Sequence, residues 1–263
     1  MIINNQAEAA NVASASHKVN TVLVRSDGRQ EPCEEEIVAE HFLDLIVNEQ
    51  LVAKLVCTPS NLAELVVGRL ITEQLITGMQ DLESLYICEE GNKAKVFLKK
   101  NVEAQLKRVL SEEPTCCTGN KVFLKNVANQ GLQQLPRVEW EREWIFALAR
   151  SFVNGSHLHK ATKGTHSCYL SVKGEVQFAV EDIGRHNALD KAIGYAVMNG
   201  YPLQDCILFT SGRVPTDMVQ KVVAAGVPIL VSKAVPTDAA VEMARHYGLM
   251  LLCRAWPDSF EVY

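Results

Sequence analysis

Two stretches of the chain carry side chains whose types and spacing could do chemistry. The first reads E-D-I-G-R-H-N-A-L-D-K over residues 181–191 and gathers Glu181, Asp182, Arg185, His186, Asn187, Asp190 and Lys191. Helix capping needs fewer polar groups than this. The stretch is either a solvated turn with carboxylates facing a helix dipole, or a polar site at a strand end, where open α/β sheets place their ligands. The density of functional groups favours the site. The second stretch is S-E-E-P-T-C-C-T-G-N over residues 111–120, which sets Cys116 beside Cys117. Its Pro, Gly and small polar residues predict an exposed loop. Free thiols on a surface are a liability, so the pair is either a chance one packed lightly under the loop or a nucleophilic, sulfur-carrying thiol. A thiolate attacks a persulfide sulfur, and a loop lets it visit two partners. A metal site there is the weaker reading, because no His or third Cys lies close in sequence. His157-x-His159 also invites a metal, but two His in a loop are more often solvated or hydrogen-bonded.

The elements that must position these groups follow from periodicity. Residues 19–25 alternate and predict a strand, and a turn-rich gap around Gly28 and Pro32 follows it. Residues 41–47 and 51–58 predict two strands about a turn at Asn48-Glu49. Leu62, Leu65, Val66, Leu70 and Ile71 repeat at helical spacing after Pro59-Ser60. Residues 82–88 and 94–99 flank Glu90-Gly91-Asn92, a hairpin signature. Residues 102–110 predict a short helix. The first half therefore reads as a compact α+β domain over 19–110, preceded by a disordered leader at 1–18. The cysteine loop and a polar, Gln- and Asn-rich linker fill 111–136.

From residue 137 the pattern changes. A helix is predicted over 144–153, with Ile145, Leu148, Ala149 and Phe152 on one side, then a polar loop to His166. A hairpin over Lys173-Gly174 leads into the polar stretch, whose helix carries Leu189, Ala192, Ile193, Ala196 and Val197 on its apolar face. Strands at 206–210, 228–232 and 249–253 then alternate with helices at 216–225 and 237–247, ended by Gly226 and Gly248. Alternation of this kind means βαβ units and a largely parallel sheet covered on both faces, here a three-layer α/β/α domain over 137–263. Each strand ends in a polar cluster: Glu181-Asp182, then Ser211-Gly212-Arg213, then Ser232-Lys233 with Thr237 beyond, then Arg254. In a parallel sheet these ends share one edge, and Arg213, Lys233, Arg254 and the helix N-termini there favour a phosphate-bearing ligand. Ordinary strand-to-helix loop chemistry is the plainer alternative.

Bulk properties bound the rest. The 263 residues are 48% hydrophobic and 22% charged, with a formal net charge of -5. That mild acidity argues against a nucleic-acid partner, and no apolar run approaches the roughly 20 residues that span a bilayer. The first residues lack the charged and apolar blocks of a signal peptide, so a cytoplasmic location with reduced thiols is expected. None of the eight cysteines (Cys33, Cys57, Cys88, Cys116, Cys117, Cys168, Cys206 and Cys253) forms C-x-x-C, and most are expected in strands as small hydrophobes.

Taken together, E-D-I-G-R-H-N-A-L-D-K (181–191), T-S-G-R (210–213), A-V-P-T (234–237) and the closing F-E-V-Y (260–263) resemble the formate dehydrogenase accessory sulfurtransferase family. The likeness runs from about residue 21 to the end, in the right order. It implies a C-terminal domain of cytidine-deaminase-like fold, without the deaminase zinc signature, and a homodimer. It implies that sulfur is taken from a cysteine desulfurase as a cysteine persulfide. That sulfur would pass to the molybdenum bis-guanine-dinucleotide cofactor before the cofactor enters formate dehydrogenase; GDP would fit the same pocket. The persulfide role falls on Cys117, because a small residue commonly precedes the key cysteine and Cys116 holds that place. Cys116 is a candidate auxiliary thiol. The cofactor-binding stretch corresponds to Cys253, Arg254, Ala255, Trp256, Pro257 and Asp258. On this reading Arg213, Lys233 and Arg254 hold phosphates, while Arg185 and Glu181, Asp182 or His186 orient the ligand or move protons. Two departures stand out. Asn120 occupies the second Cys position of a C-x-x-C found in some members, and Lys163 replaces a common Gly in the T-G-G-x-H loop at 162–166. A non-catalytic cofactor- or guanine-nucleotide-binding chaperone would need the phosphate pocket but not the thiols. A zinc-dependent deaminase-like hydrolase is disfavoured, since the chain has no H-x-E with P-C-x-x-C.

Overall fold

The computed structural model describes residues 2–6, 14–99, 110–114, 121–124 and 131–263. Its first part comprises β1 (Ile2–Asn5), β2 (Ser16–Val24), β3 (Gln30–Val38), β4 (His41–Val47), β5 (Gln50–Cys57), α1 (Leu62–Thr72), β6 (Leu82–Ile87), β7 (Lys93–Leu98), β8 (Leu110–Pro114) and β9 (Lys121–Leu124). All but β2 and β3 join one seven-stranded sheet in the order β1-β6-β7-β4-β5-β9-β8. The second part comprises α2 (Arg142–Asn154), α3 (His157–Thr162), β10 (His166–Val172), β11 (Glu175–Asp182), α4 (Arg185–Met198), β12 (Cys206–Thr210), α5 (Thr216–Ala225), β13 (Ile229–Ser232), α6 (Asp238–Tyr247), β14 (Met250–Cys253) and β15 (Glu261–Val262). Its six-stranded sheet runs β11-β10-β12-β13-β14-β15.

Alternation along these strands decides what covers each face. Tyr169, Ile207, Phe209, Ile229, Val231 and Leu252 pack with Ile145, Leu148 and Phe152 of α2. The intervening Cys168, Leu170, Cys206, Leu208, Leu230 and Leu251 join a larger core with α4, α5 and α6. That larger core continues without a break into the seven-stranded sheet, through α1 and residues such as Leu43, Leu55 and Leu85. The two sheets therefore share apolar interior rather than merely touching.

Helices α1 and α4 make the join. A Cβ at Gly68 would fall 1.7 Å from the backbone oxygen of Asp190, and one at Gly194 would fall 1.9 Å from that of Glu64. Neither position has room for any side chain, so the two backbones touch. In the sequence Gly194 and Gly68 look like tolerated helix glycines; their reason is this crossing.

Several expectations need correction. The sheet of the second part is mixed rather than largely parallel: β12, β13 and β14 are parallel, while β10 runs antiparallel to both β11 and β12, and β15 antiparallel to β14. The leader expected at 1–18 holds β1, which pairs with β6, and the start of β2. Residues 30–38, left unassigned by periodicity, form β3. Strand β3 has exposed residues on both faces, so no apolar alternation betrays it, whereas its partner β2 covers most of the strand expected over 19–25. Part of the predicted cysteine loop and linker is strand as well, since β8 and β9 pair through Pro114 and Lys121. Pro ends β8, which is the edge strand, the place in a sheet where Pro is tolerated. The helix predicted over 102–110 lies outside the described residues except for Leu110, which is strand. Leu132 and Leu135 of the supposed linker pack against the core, and the Leu135 amide donates to Tyr247 O at 2.8 Å.

Replacing Gly194 by Ala should force α1 and α4 apart and destabilise the fold by about 1–3 kcal/mol or more, as overpacking does. Thermal unfolding would show a clear fall in Tm. An unchanged Tm would mean that the helices do not meet backbone to backbone.

Candidate functional site

Because β11 and β12 point the same way, the carboxyl ends of β11, β12, β13 and β14 lie on one edge, joined there by the first residues of β10. Asp182 pairs with His166, and Thr210 with Cys168. The convergence expected from the strand ends is present, but its members do different work.

Asp182 is fully buried and saturated. Its carboxylate accepts from Thr58 N (3.0 Å), Thr58 Oγ1 (3.0 Å), Gly184 N (2.9 Å), Asn187 Nδ2 (2.9 Å) and Lys191 Nζ (2.6 Å). Lys191, also fully buried, donates in addition to Thr58 O (3.2 Å) and Oγ1 (2.8 Å). Thr58 directly follows β5 of the other sheet, so the strand-to-helix turn 182–191 is bolted to the first part of the chain. Burial, reinforced by the Asp182 charge and opposed by Lys191, pushes the neighbouring Cys57 thiol up to about 12. Asp190 belongs to a second buried cluster. Its carboxylate accepts from Lys221 Nζ at 2.9 Å and Thr72 Oγ1 at 2.8 Å, while Arg69 pairs with Glu73 at 2.8 Å. Four of the seven polar groups in the motif, Asp182, Asn187, Asp190 and Lys191, therefore hold the two parts together.

The others face the edge. Glu181 accepts from Leu158 N (2.9 Å), His159 N (2.8 Å) and Thr165 Oγ1 (3.1 Å), which fixes the short helix α3 and the loop after it. Arg185 and His186 open α4 and are largely buried. His186 Nε2 lies 2.9 Å from Asp217 Oδ2 without regular hydrogen-bond alignment. Burial raises the Asp217 pKa, but the close approach and charge of His186, the Met218 amide and Arg185 outweigh it, and the net effect is a lowering. A Cβ on Gly212 would meet Arg185 Cβ and Cδ at 3.1 Å and His166 Nδ1 at 3.5 Å, so this glycine makes room for those side chains. Ser211 Oγ accepts from Ser167 N at 2.9 Å. Ser232, fully buried, donates to Gly212 O at 2.8 Å and accepts from Ala234 N at 3.0 Å, tying two strand ends together. Thr237 caps α6 by accepting from Ala240 N at 3.3 Å.

A cavity of about 330 Å³ opens beside Ser211 and Lys233. The rest of its wall is Phe152 together with His159 and the loop residues Lys163, Gly164, Thr165 and His166. These loop residues are missing from the sequence-derived site. That reading counted only carboxyl ends of strands, whereas His166 begins an antiparallel strand and so reaches the same edge. His159 Nδ1 donates to Thr165 O at 2.6 Å, which fixes its tautomer. Burial, and then the charges of Arg185, His159 and His186 against that of Asp182, lower the His166 pKa. Lys233 holds its ammonium 5.4 Å from the ring centres of both Phe152 and Trp256, a cation–π placement between two aromatics. Among the described residues, no group of three or more His, Cys, Asp or Glu is placed to hold a metal ion.

Residues 38–263 match the model of the FdhD/NarQ family. The chain belongs to that family. A Listeria monocytogenes serotype 4b relative called sulfur carrier protein FdhD is 31% identical over 243 residues, covering 90% of this chain and 92% of the relative. One of the same name from Halalkalibacterium halodurans is 33% identical over 223 residues, 82% of each. A crystal structure from Desulfotalea psychrophila, provisionally described as a formate dehydrogenase accessory protein, superposes with a TM-score of 0.74 at 22% identity. It covers 95% of this chain and 97% of that one, and so shares the fold.

The residues carried over from the family resemblance fall in three places. Cys116 and Cys117 lie outside the described residues. Cys253 and Ala255 are buried, whereas Arg254, Trp256, Pro257 and Asp258 are exposed. Arg254 sits in the left-handed region at φ 49 and pairs with Glu261 at 3.4 Å; Arg213 is exposed. In the loop at 162–166 Lys163 adopts φ 56, a left-handed conformation that glycine would meet without strain. No helix among the described residues is long and apolar enough to cross a membrane.

Two outcomes follow. Lys191→Met, which strands the Asp182 charge, should cost about 3–5 kcal/mol in urea unfolding. The Asp182→Leu/Lys191→Met pair should cost less than the two single losses added. By NMR, the His166 imidazole should titrate below 6.5, and Arg185→Met should raise its midpoint. Because the folded pKa is depressed, the stability this group contributes is full above 6.5 and is lost as pH falls toward the folded value.

Proposed function

We propose that this chain is a sulfur carrier that serves formate dehydrogenase. It would accept sulfur from a cysteine desulfurase on Cys117 and pass it to the molybdenum bis-guanine-dinucleotide cofactor, which is its substrate rather than a resident group. The observation that carries the reading is membership of the FdhD/NarQ family over 38–263, with relatives named as sulfur carriers across most of their length. The thiol chemistry of the described residues supports it by contrast. Burial pushes Cys206 and Cys253 up to about 12, with help from Asp205 and Glu261 respectively, and raises Cys168 further still. Thiols so disfavoured as thiolates are poor nucleophiles at neutral pH. Cys33 and Cys88 are only partly buried and stand outside that contrast, so the Cys116-Cys117 pair is the sulfur-bearing candidate on the family resemblance.

In the proposed loading step the Cys117 thiolate attacks the terminal sulfur of the donor persulfide. The donor's S–S bond breaks, its cysteine leaves as a thiolate, and a persulfide forms on Cys117. Cys116 is the adjacent auxiliary thiol. The ligand would lie along the strand-end edge, with Lys233, Ser211 and the Trp256 stretch against it, and GDP would fit the same place. Asp182, in this account, acts by fixing the edge, since its oxygens are occupied. A homodimer in the cytoplasm and a cytidine-deaminase-like second part complete the proposal. A mixed sheet between α2 and α4–α6 is in keeping with that last assignment.

Intact-mass spectrometry after incubation with a cysteine desulfurase and cysteine should show the gain of one sulfur atom, absent in Cys117→Ala and retained in Cys168→Ala. Equal loading of the Cys117 variant would refute the assignment.

A further inference from the structure

The outer face of the seven-stranded sheet is open, and its residues are not those of an ordinary solvated face. Phe42 and Ile46 of β4 alternate with the core residues Leu43 and Leu45, while Lys93, Lys95 and Phe97 of β7 alternate with Ala94 and Val96. A sheet that turns one side to water normally carries polar residues there. Here Phe42 is 63% exposed and Phe97 38%. The charges beside them have one sign. Lys93 and Lys54 both register with Asp44, and Lys95 registers with Ile46. Among the described residues of these rows Asp44 is the only acid, and it already pairs with Lys54 at 3.2 Å. Lys93 and Lys95 are thus a local surplus in a chain whose formal net charge is -5. Exposed aromatics flanked by charge of one sign mark a surface for another protein, and the sign calls for an acidic one.

Connectivity says which protein. Lys121, which opens β9, registers with Lys54, and Pro114, which ends β8, registers with Lys121. Cys117 follows Pro114 by three residues, so its Cα lies within about 11 Å of the Pro114 Cα whatever path the chain takes. A sulfur donor must bring its persulfide to that place. A stable interface takes about 800 Å² of each partner, a patch roughly 30 Å across, and β7 stands four strands from β8, about 19 Å away. A donor seated on this face at the cysteine pair therefore reaches as far as Lys93 and Phe97. We propose that the outer face of this sheet is the docking surface for the sulfur-donor protein, which meets Phe42 and Phe97 with an apolar patch and the lysines with acidic side chains. The two aromatics supply the desolvated contact, and Lys54, Lys93 and Lys95 speed and orient the encounter. The inference deepens the sulfur-carrier reading and rests on it for the identity of the partner.

The test follows sulfur loading of the full chain by intact mass as the concentration of a cysteine desulfurase, supplied with cysteine, is raised. A parallel series uses inorganic polysulfide, a donor that needs no docking surface. Phe42→Ser and the Lys93→Glu/Lys95→Glu pair change exposed side chains, so their melting temperatures should match the parent's. Each should raise the desulfurase concentration at half-maximal loading by about tenfold, with the saturating rate and the polysulfide reaction as in the parent. Added salt should raise the parent's half-maximal concentration and leave that of the lysine variant nearly unchanged. Half-maximal concentrations equal to the parent's in both variants would overturn the assignment. So would a fall in Tm for Phe42→Ser, which would mean that this chain's own residues cover the face. Loss of self-association in Phe42→Ser, with desulfurase loading intact, would give the face to a second copy and overturn it as well. If Cys117 loads from both donors and the variants change nothing, this inference alone is removed. If Cys117 loads from neither, the sulfur-carrier reading falls and takes this inference with it.

Discussion

The arrangement rests on a buried ion pair that neither part of the chain could hold alone. Asp182 and Lys191 sit nine residues apart on the turn from β11 into α4, fully out of water, and both close on Thr58 from the other sheet. An isolated buried pair is weak evidence for stability, because desolvation offsets most of the attraction. What makes this one tolerable is that every oxygen of Asp182 and the ammonium of Lys191 find partners, several of them on Thr58. Correct docking of the two parts is thus a condition for satisfying the charges. The backbone contact of α1 and α4 at Gly68 and Gly194 sets the distance at which that docking occurs.

From this joint the geometry of the edge follows. With Asp182 fixed, its neighbour Glu181 is placed to hold α3 and the loop at 163–166, and α4 presents Arg185 and His186 behind Gly212. Ser232 and Gly212 lock the adjoining strand ends, and Lys233 is steadied between Phe152 and Trp256. The wall that results is cationic on one side and backed by buried carboxylates already spoken for. The edge is thus held in place by buried contacts, while the proposed sulfur chemistry belongs to cysteines far away in sequence.

Much of this was legible in the residues. Helical spacing, glycine caps and apolar runs located most elements of the second part, since β12, β13 and β14 are buried almost throughout and α2, α5 and α6 each have one apolar face. The polar density of 181–191 correctly marked an unusual place. Its use could not be read, because a carboxylate that binds a ligand and one that anchors a distant threonine look alike in one dimension. Thr58 carries no signal of its own. Antiparallel β10 was hidden for a similar reason: a hairpin fixes only its own two strands, and which edge it joins is a tertiary choice. His166 and Lys163 entered the edge by that choice. Strand β3 escaped because both its faces are largely exposed, so its residues carry no clear burial pattern.

Native-state hydrogen exchange at the Thr58 amide, which donates to Asp182, tests most directly whether the two parts form one cooperative unit through the buried pair. The account predicts exchange as slow as that of the core amides of α4, and a matched loss of protection at Thr58 and Gly184 in Lys191→Met. Rapid exchange of Thr58 by local opening, with Gly184 still protected, would contradict it.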